Sequence, residues 1–173
     1  MRIKDKIKRP RRPVVAYEIL PPREKDGTLN SYAANISSLL SQTHIDAINI
    51  PEVRDEVARG ERPIKNQIRA EPREFGRLLQ DIVGIEAIIN RVVVHQNLEK
   101  EMTWLEETNK KNEIENLITV GGESRKIEYP GPSVNQALAA ISKNQKLDFL
   151  CGGISIPSRE KESLRLIEKS DNG

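Results

Sequence analysis

Hydrophobic residues in this chain fall into five short apolar runs, separated by longer stretches in which they recur with a helical spacing. The runs are Val14–Leu20, Ala47–Ile50, Val92–Val94, Leu117–Val120 and Leu147–Cys151. They are too short for helices, most are rich in β-branched residues, and none alternates strictly with polar residues. This pattern predicts five strands of a parallel sheet that is covered on its faces by helices.

The stretches after the runs predict five amphipathic helices. Their inward-facing residues are spaced three or four apart, in the sets Tyr32, Ile36, Leu39 and Leu40; Phe75, Leu78, Leu79 and Ile82; Leu98, Met102 and Leu105; Val134, Leu138 and Ile141; and Leu164 and Ile167. Ser133 and Gln136 have the spacing of a capping box at the start of the fourth helix. Residues 52–70 are charged and lack a period, which indicates a long loop.

Two architectures fit five strands alternating with five helices. A doubly wound open sheet would be finished at five strands, whereas a (β/α)8 barrel would need three more units and about 250 residues. The length of 173 residues favours the open sheet. The polar residues at the strand ends favour the barrel, and we expect a partial barrel over residues 14–173, preceded by a basic tail over residues 1–13.

Charge and composition narrow the class of protein. The net charge of +2 includes a cluster of seven basic residues in the first dozen positions, where only Asp5 opposes them. No aromatic residue lies among them, so we expect a solvated, frayed terminus in preference to a nucleic-acid-binding arm. No apolar stretch is long enough to span a membrane and no export signal is recognisable, which predicts a cytoplasmic protein. Two histidines and the lone Cys151, expected to pack in a strand, predict no metal site.

Polar residues at the carboxyl ends of the predicted strands are the candidates for chemistry, because ligands of parallel α/β folds bind there. They are Glu18, Asn49, His95, Glu123 and Ser155. Glu18 stands in an apolar run, where burial would raise its pKa and suit it to donate a proton; a Glu paired with Arg or with backbone amides fits equally well. Gly122 could place its backbone amide against a phosphate, and His95 is a further candidate for ligand contact.

The segment Tyr17-Glu18-Ile19-Leu20-Pro21-Pro22-Arg23 resembles the opening strand of the methylenetetrahydrofolate reductases, in which an aromatic-Glu-hydrophobic-hydrophobic-Pro-Pro-Arg motif carries the catalytic glutamate. Asn116–Glu123 is similar to the family's fourth strand, and Lys169–Gly173 is similar to the segment before its sixth strand. The resemblance implies a (β/α)8 barrel that binds FAD and passes a hydride from NAD(P)H through the flavin to methylenetetrahydrofolate.

The same resemblance implies roles for individual residues. Glu18 would be the general acid that assists opening of the folate ring, Glu123 would lie near the flavin, and Lys169 would contact the FAD phosphates. Glu18 is the expected catalytic residue, and Glu123, Lys169, Gly122 and His95 form the expected cofactor site. Asn49-Ile50-Pro51-Glu52 replaces the family's Thr-Tyr-Gly segment on the second strand.

Strands six to eight of such a barrel have no counterpart in these 173 residues. The expected partners are therefore a folate-type substrate together with either a second chain that supplies strands or another copy of this chain. Two functions stay open at this point: a flavin-dependent reductase present as a truncated or split chain, and a non-catalytic half-barrel that binds a nucleotide or a partner chain, or a remnant without activity.

Overall fold

The structure, a computed structural model, describes residues 2–9, 12–54, 68–122 and 127–172. Within these ranges strands and helices alternate after a short first helix. The helices are α1 (Ile3–Lys8), α2 (Leu29–Leu40), α3 (Pro72–Val83), α4 (Leu98–Lys110), α5 (Val134–Lys143) and α6 (Glu162–Asn172); the strands are β1 (Ala16–Glu18), β2 (Ala47–Pro51), β3 (Glu86–Val92), β4 (Asn116–Val120) and β5 (Leu150–Gly153).

The five strands form one parallel sheet in the order β1-β2-β3-β4-β5. In a doubly wound sheet the chain reverses its direction of progress, so that the first strand lies inside the sheet. Here β1 lies at an edge and each strand adds beside the one before it, which is the order of a (β/α)8 barrel. The predicted α/β fold class is confirmed. The order of the strands in the sheet agrees with the partial barrel and not with the doubly wound sheet.

The helix ends follow local sequence signals. The Thr28 and Asn97 side chains cap α2 and α4 by accepting hydrogen bonds from backbone amides of the first turn. Ser133 and Gln136 form the predicted capping box of α5. Helix α3 begins at Pro72 and stops at Gly84, whose φ of 69° is a left-handed conformation that glycine adopts without strain.

The main core lies between the sheet and the helices. Residues at alternate positions of β2, β3 and β4 face the helices and are fully or almost fully buried, among them Ile48, Ile50, Ile89 and Leu117. Phe75 and Leu79 of α3 and Leu105 of α4 pack against them. The opposite face of each strand is turned away from this core, and it is the face that would line the interior of a barrel.

Two strands differ from their predicted bounds. The third strand was predicted at Val92–Val94, but it is β3 at Glu86–Val92, and residues 93–95 form a 3₁₀ turn. The prediction was wrong because Asn90 and Arg91 interrupt the apolar pattern of this strand, although Arg91 is buried against the acidic partners Glu52 and Glu101, which the pattern does not reveal. The fifth strand is Leu150–Gly153, shifted towards the glycine pair from the predicted Leu147–Cys151.

The expectation of a frayed basic terminus is wrong for the described residues. Ile3 of α1 is 1% exposed. The basic side chains around it pair with acids that stand at or just before the amino ends of the strands: Lys6 and Arg12 with Asp46, Arg2 with Glu86 and Glu115, and Lys4 with Asp148. The N-terminal segment therefore closes the amino-terminal end of the sheet, opposite the end where ligands bind.

Strands β1 and β5 each pair with a single neighbour in this sheet. Apolar side chains near these edges are exposed, including Tyr17 of β1 and Leu164 and Ile167 of α6, although the helical spacing of the last two predicted an inward face. Among the described helices, none is both long and apolar enough to cross a membrane.

Candidate functional site

Glu18 lies at the last position of β1, where its carboxylate accepts a hydrogen bond from Asn49 Nδ2 at 3.0 Å. All three residues of β1 are exposed. The prediction that Glu18 is desolvated by its apolar neighbours is therefore wrong: Ile19 is buried in the core, but Glu18 itself lies on an exposed edge strand. Glu18 is placed where a ligand can reach it.

Asn49 and Asn90 continue the same face of the sheet beside Glu18. Glu18 is the register partner of Asn49, and Asn49 is the partner of Ile88, two residues before Asn90. Since side chains alternate along a strand, Asn90 shares the face of Asn49. The Oδ1 atoms of both asparagines are buried and accept no hydrogen bond from the described residues. We call Glu18, Asn49 and Asn90 the polar strip.

A buried ionic network supports the carboxyl ends of β2 and β3. Arg91 donates to both carboxylate oxygens of Glu101 at 2.8 Å and to Glu52 Oε1 at 2.9 Å. Its guanidinium carbon lies 4.2 Å from the centroid of the Trp104 ring. Burial acts to lower the pKa of Arg91, but the hydrogen bonds to Glu101 and the charge of Glu52 outweigh it and raise the pKa above its ordinary value.

This network fixes two loops at the carboxyl end of the sheet, the end where ligands of parallel α/β folds bind. The second oxygen of Glu52 accepts the Val92 amide at 2.9 Å, and Gln96 donates to Glu101 at 2.7 Å. The segment after β2 and the turn after β3 are thereby held together. Sequence reasoning missed the network, and its available signal was an Arg inside an otherwise apolar strand, since a buried Arg requires partners.

His95 and Gly122 are brought together by Tyr129. His95 lies in the 3₁₀ turn after β3, and its ring meets the Tyr129 ring edge to face, with centroids 5.7 Å apart. A Cβ on Gly122 would lie 2.2–2.5 Å from the Tyr129 ring, so only glycine leaves room for that ring at the end of β4. The aromatic ring thus occupies the space that a side chain at position 122 would need.

Lys169 lies on α6 and reaches across the end of β5. Its ammonium group donates to the Ile154 carbonyl at 2.5 Å and lies 3.6 Å from Glu162. Gly153 allows this crossing, because a Cβ there would be 3.0 Å from Lys169 Cδ. Gly122 and Lys169 line one open groove of about 640 Å³ between the ends of β4 and β5 and the helices α5 and α6. We call this space the basic groove.

The structure therefore connects three of the predicted site residues: His95 with Gly122 through Tyr129, and Gly122 with Lys169 along the basic groove. Glu18 lies on the opposite edge strand. Glu123 lies outside the described residues. Cys151, predicted to be packed in a strand, is half-buried in β5 against the core, and burial raises its pKa to about 11.

No family model and no curated protein match this chain. A similar solved structure is that of an uncharacterized protein from Clostridium thermocellum, described as binding two copies of 5-methyl-5,6,7,8-tetrahydrofolic acid. The two superpose with a TM-score of 0.72 at 22% sequence identity, over 99% of this chain and 55% of the other. The similarity shows a shared fold. The chain spans about half the length of that protein.

Proposed function

We propose that this chain forms part of a barrel that binds a reduced folate, with the pterin ring seated against the polar strip. The observation that carries the proposal is the pair of buried Oδ1 atoms of Asn49 and Asn90, which lack a hydrogen-bond donor among the described residues beside the accessible carboxylate of Glu18. A buried acceptor without a partner costs about 1–3 kcal/mol, and a ligand that supplies the donor recovers this cost.

The chemistry of a pterin matches this arrangement. Its amino group and ring N–H groups are donors on the edge of a flat heterocycle, and a carboxylate accepts two such donors side by side. The two amide oxygens supply further acceptors on the same face. The solved structure with the shared fold is described as binding a methyltetrahydrofolate, which supports the choice of a folate among the heterocycles that present such donors.

Isothermal titration calorimetry with 5-methyltetrahydrofolate tests the proposal. We expect saturable binding to the wild-type chain. Asn90→Leu should lose up to about tenfold in affinity, since one hydrogen bond contributes about 0.5–1.5 kcal/mol and roughly 1.4 kcal/mol corresponds to a factor of ten. Asn35→Leu, on the exposed surface of α2, is the matched control and should bind as the wild type does. Absence of binding at millimolar folate, or equal affinities in all three proteins, would contradict the proposal.

A finer function, a flavin-dependent methylenetetrahydrofolate reductase, is favoured by the resemblance around Glu18 and by the basic groove. The groove fits the diphosphate of FAD: Lys169 would hold a phosphate and the backbone at Gly122 would approach it. FAD, when bound, supplies the hydride transfer from NAD(P)H. In this proposal Glu18 donates the proton to the folate, and its exposure at the end of β1 gives a substrate access to it.

Reconstitution with FAD separates the two functions. A yellow protein with flavin absorbance that oxidises NAD(P)H supports the reductase, and Glu18→Gln should then abolish folate reduction while leaving NAD(P)H oxidation largely intact. Folate binding without retention of flavin would favour the non-catalytic half-barrel. Equal loss of both half-reactions in Glu18→Gln would show that Glu18 supports the structure and does not transfer the proton.

A further inference from the structure

The basic groove carries a marked excess of positive charge. Four cations and one carboxylate line it: Arg159, Lys161, Arg165 and Lys169 against Glu168. The Glu168 carboxylate accepts a hydrogen bond from Asn135 at 3.3 Å. The groove is open to solvent along the carboxyl ends of β4 and β5, so a ligand bound at that end of the sheet can enter it.

Two of the cations are engaged in holding the groove together. The Glu162 carboxylate lies 3.6 Å from Lys169 and 3.9 Å from Arg159, and it accepts the Ile156 amide at 3.0 Å. These contacts, with the Arg159 amide bonded to the Ile156 carbonyl, tie the loop after β5 to the first turn of α6. The wall of the groove is therefore built from the protein's own ion pairs.

The other two cations are available to a ligand. Within the described ranges, Lys161 and Arg165 have no ion-pair partner, and both line the groove. They stand one turn apart at the start of α6, where the Arg165 amide bonds to the Lys161 carbonyl. Two adjacent unpaired cations beside an already neutralised pair suit a ligand with several negative charges in series.

We propose that the basic groove binds the carboxylates of the glutamate tail of the folate, with Lys161 and Arg165 as the principal contacts, in place of the FAD diphosphate that a reductase would hold there. This inference rests on the proposed function, because the tail reaches the groove only when the pterin is bound at the polar strip. A strand spacing of about 4.8 Å puts β5 roughly 10 Å from β3 and roughly 19 Å from β1 along the sheet. The pterin ring cannot itself cover that distance, whereas the glutamate end of an extended folate can.

A comparison of two probes tests the proposal: 5-methyltetrahydrofolate with one glutamate and with five glutamates, each titrated into the full chain at low and at high salt. We expect the longer tail to bind about three- to tenfold more tightly at low salt, because individual exposed ion pairs contribute little. Added salt should remove this advantage, since it screens exposed charges.

The double substitution Lys161→Glu with Arg165→Glu should remove the preference for five glutamates. It should also weaken the binding of the one-glutamate probe, which carries carboxylates of its own, but by a smaller factor than the binding of the five-glutamate probe. The matched control is Lys100→Glu with Lys110→Glu, an equal change of charge on the exposed surface of α4, which should retain the preference. Circular dichroism of both variants establishes that each is folded before the titrations are compared.

Three results would overturn the proposal. Equal affinity for the two tail lengths would show that the groove does not contact the tail, while the proposed folate binding would stand. Binding of neither probe would refute the proposed function and this inference with it. Weaker FAD binding in the Lys161/Arg165 variant, with an unchanged preference for the longer tail, would assign the groove to a cofactor diphosphate.

Discussion

Removing Glu101 is the perturbation that tests the packing of this protein most sharply. Its side chain is fully buried and accepts three hydrogen bonds, two from Arg91 at 2.8 Å and one from Gln96 at 2.7 Å. In Glu101→Leu the guanidinium of Arg91, itself 3% exposed, keeps Glu52 as its remaining acid partner among these residues. Removing one partner of a buried ion pair lowers the free energy of unfolding by about 3–5 kcal/mol, because the other charge stays buried without it.

The lower end of that range is the better expectation for Glu101→Leu. Three charge-assisted hydrogen bonds at about 1.5–3 kcal/mol each give a gross upper bound of several kcal/mol, but Glu52 and the Trp104 ring continue to stabilise Arg91. We therefore expect a loss of about 3 kcal/mol in the free energy of unfolding. Glu101→Gln, which keeps one acceptor oxygen, should lose less.

Urea denaturation followed by circular dichroism measures these changes through the shift of the midpoint at constant slope. The control is Glu99→Gln on the exposed side of the same helix, which should lie within about 0.5 kcal/mol of the wild type. A loss below about 1 kcal/mol in Glu101→Leu would refute the reasoning, because it would mean that Arg91 is hydrated or re-paired at no cost.

Three further predictions follow from individual contacts. The Val15 amide, Lys6 and Arg12 hold the pKa of Asp46 well below its usual range. The ionised carboxylate therefore stabilises the fold above about pH 4, and this stabilisation is lost as the pH falls further. In urea titrations the difference in the free energy of unfolding between wild type and Asp46→Asn should narrow from pH 5 to pH 2, and a constant difference would contradict this. Gly131→Ala places a Cβ 2.4 Å from the Gln96 carbonyl oxygen and should lower the free energy of unfolding by about 1–3 kcal/mol, whereas an unchanged urea midpoint would show that the turn adapts. Because burial raises its pKa to about 11, Cys151 should react with a thiol reagent at pH 8 more than about 100-fold slower than free cysteine, and a rate near that of free cysteine would show that the thiol is exposed.

Much of the fold could be predicted because the features that determine it are local. Short apolar runs such as Ala47–Ile50 and Leu117–Val120 become strands within a residue of their predicted bounds. The capping box at Ser133 places the start of α5. The apolar runs alone left the open sheet and the barrel both possible, because the difference depends on which strands pair. The polar strand ends favoured the barrel, and the order of the strands in the sheet confirms it.

The site was less predictable because its features depend on contacts between distant residues. The apolar neighbours of Glu18 suggested burial, but Glu18 belongs to an edge strand whose three residues are all exposed. Arg91 and Glu101 are ten residues apart, on a strand and a helix, and nothing in the sequence marks them as partners. The basic residues before the first strand look like a free arm until the acids that precede the other strands are brought to the same end of the sheet.

Asn90 shows the same limit within a single strand. Because Asn90 is polar, the predicted third strand did not include residues 86–91. The same side chain provides a second amide beside Asn49, on the face turned away from the core. A polar residue inside an otherwise apolar strand is therefore a candidate for ligand contact, and this criterion would have selected Asn90 together with Glu18 and Asn49.

The most direct measurement of the central claim is a titration of isotopically labelled protein with 5-methyltetrahydrofolate, followed through the side-chain amide NMR signals of Asn49 and Asn90. Folate binding at the polar strip predicts that both signals shift together and saturate with the same dissociation constant as that from calorimetry, while the exposed Asn35 stays fixed. Saturable binding that leaves the Asn49 and Asn90 signals unmoved would contradict the claim, since the folate would then be bound elsewhere on the chain.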